Sequence, residues 1–155
     1  MKLGIAIPAC KGDHSADYVL GYLDMWRDEV GVYPDTVPLF WRLEDTPRGF
    51  HDQGNLMLDL SLLDIQPMLY LASALDDPAD AATELARELD LVGTIVRFNQ
   101  EPNGDWKAPW ANIPPQQYID QFRAVADAIH AETPSARMFY CPIQRRDLSG
   151  FETYY

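Results

Sequence analysis

The chain has 155 residues, the length of one ordinary domain, and 47% of them are hydrophobic and 12% aromatic, enough to bury a core and too many for a disordered chain. Its 24 Asp and Glu against 12 Lys and Arg give a formal net charge of -12. A field of that sign repels phosphate backbones and anionic lipid, which argues against nucleic acid and membranes as partners but not against a neutral ligand such as a sugar.

Strand and helix signals alternate along the chain. Residues 3–9 (LGIAIPA) form a short apolar run ending near Pro8, Cys10 and Gly12, and predict a first strand. Ser15 is a candidate N-cap for a helix over 16–30, with Val19, Tyr22, Leu23, Trp26 and Val30 on one face and Gly31 as its stop. Residues 36–43 (TVPLFWRL) predict a second strand, with Pro38 tolerable near its start. A polar loop over 44–54 precedes a short helical piece around 55–63. Residues 66–73 (QPMLYLAS) predict a third strand, after which Asp77 and Pro78 supply a cap and first-turn pair for a helix through about residue 90. Its Ala82, Leu85, Ala86 and Leu89 recur at helical spacing. Residues 92–98 are rich in β-branched side chains and predict a fourth strand buried on both faces. After Pro114 and Pro115, residues 116–132 place Tyr118, Phe122, Val125, Ala126 and Ile129 on one helical stripe. Residues 136–142 (ARMFYCP) predict a fifth strand.

Five strands separated by four helical segments imply βα units on a parallel sheet, with residues 1–155 as a single domain. The units average about 33 residues, and eight of them need roughly 266, close to the roughly 250 of a (β/α)8 barrel of the TIM type. On that reading the chain is an incomplete barrel. No run of about 18 apolar residues spans a membrane. The opening MKLGIAIPAC shows no signal-length apolar stretch with a cleavage site, so no export signal is expected in it. Cys10 and Cys141 fit no zinc or disulfide framework and are expected as buried free thiols. His14 and His51 fall in loops at the C-terminal ends of strands and His130 in the last helix; with no HxH or HxxxH spacing, no metal is expected, and no cofactor signature is visible.

In parallel α/β folds ligands meet the loops that leave the C-terminal ends of strands. The richest such loop runs from Arg97 to Trp110 (RFNQEPNGDWKAPW). Glu101 stands just past a strand end, flanked by the amides Asn99, Gln100 and Asn103 and followed by Trp106 and Trp110. Sugar chemistry asks for these parts: a carboxyl group to move a proton at the glycosidic oxygen, amides for hydroxyls, and indole faces for pyranose rings. The bland alternative is a solvated loop acid with tryptophans capping a core. Trp41 and Arg42, at the end of the second strand, face a similar choice between a ligand cleft and, respectively, core packing and an ion pair.

The segment Arg97-Phe98-Asn99-Gln100-Glu101-Pro102-Asn103-Gly104-Asp105-Trp106, with Trp110, resembles the acid/base region of glycoside hydrolase family 26, the endo-β-1,4-mannanase family. WRDEVGVYPDTV, QPMLYL and MFYCP follow the order of that family, so the resemblance extends over nearly the whole chain. It implies the N-terminal part of a (β/α)8 barrel that acts on β-linked, mannan-type polysaccharide by retaining double displacement. Carried over by position, Glu101 is the acid/base, Trp106 and Trp110 are sugar-binding walls, and Arg97 supports the site from its strand. The amides Asn99 and Asn103, and Trp41, complete the candidate sugar contacts. The resemblance also implies that the product is often secreted.

Two residues depart from the family pattern. Gln100 stands where the family usually has His, and Ile143 follows Pro142 where an amide is common. The family's nucleophile lies near the end of a seventh strand, whereas the strands predicted here number five. Asp13, Glu44, Asp45, Asp76 and Asp77 each follow a predicted strand, Asp13 and Glu44 being the plausible stand-ins and Asp77 already having a capping job. A non-catalytic carbohydrate-binding remnant and a truncated barrel fragment are the competing expectations. An incomplete barrel also leaves open strand edges, an invitation to self-association.

Overall fold

The structure is a computed structural model that describes residues 16–43, 50–89, 91–99 and 113–140, with side chains of the second helix described from Leu56 onward. In chain order its elements are α1 (Ala16–Val30), β1 (Thr36–Arg42), α2 (Phe50–Leu62), β2 (Gln66–Ala72), α3 (Ala79–Glu88), β3 (Ile95–Phe98), α4 (Pro115–Glu132) and β4 (Arg137–Phe139). The four strands form one sheet in the order β1-β2-β3-β4, and every neighbouring pair is parallel. The protein is therefore α/β, with a sequentially ordered parallel sheet. The first expected strand, over 3–9, lies outside the described residues, as do Ser15, Cys10, Cys141 and His14.

Period-2 alternation explains where the core sits. Val37 and Leu39 of β1, Leu69 and Leu71 of β2, and Val96 and Phe98 of β3 are buried, and they join Val19 and Leu23 of α1, Leu56 and Leu60 of α2, Leu85 of α3, and Val125 and Ile129 of α4 in one cluster. The helices thus bury their apolar stripes against one face of the sheet. Fully burying an aliphatic side chain of this size contributes roughly 1.5–3 kcal/mol.

The opposite sheet face carries no fully buried strand side chain among the described residues. Phe40, Tyr70, Arg97 and Phe139 occupy one register row across it. Phe40 is 44% and Phe139 55% exposed. This corrects the expectation for β3: Ile95 and Arg97 are only half-buried, so the strand has one covered face, not two. The β-branched run misled because Val92 belongs to the turn before the strand, where it is 70% exposed and Gly93 takes a φ of 70°.

The remaining differences are at boundaries. Gly31 ends α1 as expected, with a φ of 87° and its N–H donating to the Arg27 carbonyl at 2.7 Å. Val30 is exposed, while Val19 and Leu23 carry the buried face. α2 begins at Phe50, earlier than expected, which moves His51 from a loop into a helix. α3 starts with Pro78 at its N-cap, and the Asp77 carboxylate accepts the Ala79 N–H at 3.3 Å. β4 is shorter than expected, ending at Phe139. At the N-terminal ends of the strands, Gly93 O accepts both the Gln66 side-chain amide at 2.7 Å and Arg137 Nη2 at 3.4 Å, which pins β2, β3 and β4 in register. No described helix is long and apolar enough to cross a membrane.

Candidate functional site at the C-terminal strand ends

The parallel sheet brings the ends of β1, β2 and β3 to one edge, so the segments after Arg42, Ala72 and Phe98 leave side by side. Of the residues expected to form a site, Arg97, Asn99 and Trp41 are described; Glu101, Asn103, Trp106 and Trp110 lie outside the described residues, together with Gln100, Asp13, Glu44, Asp45 and Ile143.

Arg97 sits on the half-exposed face of β3, directly across from Tyr70 of β2. Its Nη1 donates to the Tyr70 hydroxyl, and its guanidinium carbon lies 4.3 Å from the Tyr70 ring centroid, a cation–π arrangement. The Phe40 ring is 4.6 Å from Tyr70, tilted by 35°. Phe40, Tyr70 and Arg97 thus form a continuous ladder across three strands, a flat aromatic and cationic surface next to the strand ends. Arg97 Nε is buried with no hydrogen-bond partner among the described residues.

Asn99 ends β3 and turns the chain. It is 1% exposed and has a φ of 43°, a left-handed backbone that Asn tolerates better than most residues. Its N–H donates to the Leu71 carbonyl at 2.7 Å, extending the ladder by one rung, and its Oδ1 accepts the Ser73 N–H at 2.7 Å. The side chain thereby ties the end of β3 to the β2–α3 loop. Its Nδ2 is buried without a partner among the described residues.

Trp41 is half-buried and packs against the core cluster, on the helix-covered side shared with Leu39 and Leu71. Arg42 is exposed on the other face. The structure therefore brings Arg97 and Asn99 to the strand ends and places Trp41 among the core residues.

Three described residues of this region were not singled out by the sequence. Tyr70 and Phe40 become neighbours of Arg97 only through register, which no single segment displays. Gln121 of α4 is 6% exposed, and its Nε2 donates to the carbonyls of Leu75 at 2.9 Å and Asp76 at 3.3 Å. The available signal was its place on the Tyr118–Val125 stripe, where a polar residue at a core position asks for buried partners. Tyr118, on the same face, sends its hydroxyl to Phe98 O at 3.3 Å. Among the described residues no group of three His, Cys, Asp or Glu side chains is placed to hold a metal ion.

No protein-family model matches the chain, and no curated protein matches it.

Proposed function

We propose that the chain is a glycosidase-type domain similar to the endo-β-1,4-mannanases of family 26, forming the N-terminal part of a TIM-type (β/α)8 barrel and binding β-linked, mannan-type polysaccharide. In this reading Glu101 is the acid/base of a retaining reaction: it protonates the leaving-group oxygen while a nucleophile attacks C1, then activates water. That nucleophile comes from beyond the strands described here. Trp106, Trp110 and Asn103 contact the sugar, and Asn99 and Arg97 support them from below.

The observation that carries the reading is the turn at Asn99. Asn99 lies at the C-terminal end of a parallel strand, two positions before Glu101 in sequence, and the ends of parallel strands are where α/β folds present their ligand-binding loops. The sequential strand order and the one-sided helix layer fit an opened barrel wall. A non-catalytic carbohydrate-binding role is the second reading. Of the described strand-end acids, Asp77 is taken up at the start of α3, where its carboxylate accepts the Ala79 N–H, and so does not serve as a second catalytic carboxylate in this reading.

Reducing-sugar release from β-1,4-mannan, measured with and without Glu101→Ala, tests the chemistry, and titration calorimetry with manno-oligosaccharides tests the binding. Hydrolysis that falls about a hundredfold or more in Glu101→Ala is the expected signature of the enzyme. Binding without hydrolysis selects the second reading, and turnover indifferent to Glu101→Ala removes the assignment.

A further inference from the structure

Two buried amides approach the β2–α3 loop from different elements. Asn99, at the end of β3, accepts the Ser73 N–H through Oδ1, and Gln121, from α4, donates through Nε2 to the Leu75 and Asp76 carbonyls. The loop between them is tight, because Ser73 Oγ also accepts the Leu75 N–H at 3.1 Å. Tyr118, one turn before Gln121 on α4, reaches the carbonyl of Phe98, the residue preceding Asn99. The two side chains therefore belong to one small region under the loop. Asn99 is 1% and Gln121 6% exposed.

Each amide has used only one end on the loop. Asn99 Nδ2 and Gln121 Oε1 are both buried without partners among the described residues, one a donor and the other an acceptor. Leaving a buried polar atom unsatisfied costs about 1–3 kcal/mol, so such leftovers are rare in folded proteins. One hydroxyl group has the polarity for both, since it accepts from an amide N–H and donates to an amide oxygen.

We propose that Asn99 and Gln121 form an amide pair that holds one hydroxyl group beneath the Ser73–Asp77 loop, water or a saccharide hydroxyl, and so fixes that loop against the start of the Glu101 segment. The saccharide source rests on the carbohydrate reading above, whereas the pairing itself does not. Gln121 then acts as a positioning residue on a helix outside the strand-end loops, and Asn99 contributes its donor in addition to its turn.

The test is a double-mutant cycle on the full chain, read by backbone amide exchange at residues 73–77. Asn99→Gly keeps the left-handed backbone accessible while removing the amide, and Gln121→Met keeps the length of the side chain. Each single substitution is expected to speed exchange at the loop about tenfold, and the double variant to be no faster than the faster single one. Exchange factors that multiply in the double variant overturn the pairing. Should Gln121→Met fail to fold, Gln121→Glu retains the acceptor, so Asn99→Gly must still speed exchange about tenfold in that background; an Asn99→Gly without effect there overturns the proposal equally. Repeating the cycle with manno-oligosaccharide separates the two sources. Loop protection in wild type that appears only with the sugar assigns the hydroxyl to the saccharide, and protection already present without it assigns it to water. A sugar that does not bind at all defeats the carbohydrate reading and leaves the coupling to be scored by itself.

Discussion

At Asn99 a backbone requirement and a side-chain hydrogen bond coincide, and substitutions separate them. Valine there meets the 43° φ with a branched Cβ and also loses the Ser73 acceptor, so Asn99→Val is expected to cost about 2–5 kcal/mol, whereas Asn99→Gly relieves the strain and costs roughly half as much. Chemical denaturation of the two variants checks the ordering. A second residue-level expectation concerns Tyr33, whose hydroxyl donates to Asp24 Oδ1 at 2.7 Å. That hydrogen bond raises the Tyr33 pKa above its ordinary value, with desolvation adding in the same direction and the nearby Arg27 opposing. Because the folded value lies above the unfolded one, the contact's contribution is complete below about pH 10 and is lost as pH rises through the raised folded value. Ultraviolet titration of phenolate is expected to show a late component assigned to Tyr33, which moves down in Asp24→Asn; an unchanged titration curve would refute the assignment.

Among the elements, the helices were the most legible part of the chain. Ala82, Leu85, Ala86 and Leu89 recur at helical spacing and are all buried, and α1 spans the expected residues because Gly31 permits the left-handed stop. No atom lies within 4 Å of a Cβ built on Gly31, so Gly31→Ala is expected to cost about 1–2 kcal/mol through its backbone alone, with no steric term. Thermal unfolding measures it. By contrast, Leu85→Ala in α3 removes a fully buried side chain and is expected to cost about 2–5 kcal/mol, while Leu62→Lys, at a position 76% exposed, is expected to stay within about 0.5 kcal/mol. The strands were read less well at their edges. Hydrophobic content in 92–98 said strand, yet it could not tell a turn valine from a strand valine, since Gly93 sets the boundary by conformation and not by polarity. The start of α2 was missed for a related reason, as its first turn is polar and carries Gly54.

For the whole molecule, the α/β class and the parallel connections followed from the alternation of periodicities, and the structure agrees. The site was only partly readable. Asn99 and Arg97 could be placed at a strand end from the segment alone, but the Tyr70–Arg97 contact depends on pairing two strands 27 residues apart, and Gln121 on how α4 lies over a loop. The sheet face that carries Phe40 and Phe139 yields a prediction at this scale. Phe40 and Phe139 project from a row that carries no fully buried side chain among the described residues, and exposed aromatic side chains grouped on one face favour association. Sedimentation is expected to show concentration-dependent oligomers that Phe40→Lys combined with Phe139→Lys weakens; a monomer at every concentration, with cooperative unfolding, contradicts this.

The strand order has a kinetic corollary. Each described strand after β1 docks on the strand that precedes it in the sequence, so closing these pairs demands only a modest loop-entropy cost and no wait for a distant partner. Assembly can therefore advance unit by unit from the amino-terminal side as the polypeptide leaves the ribosome, with each helix sealing the pair just made.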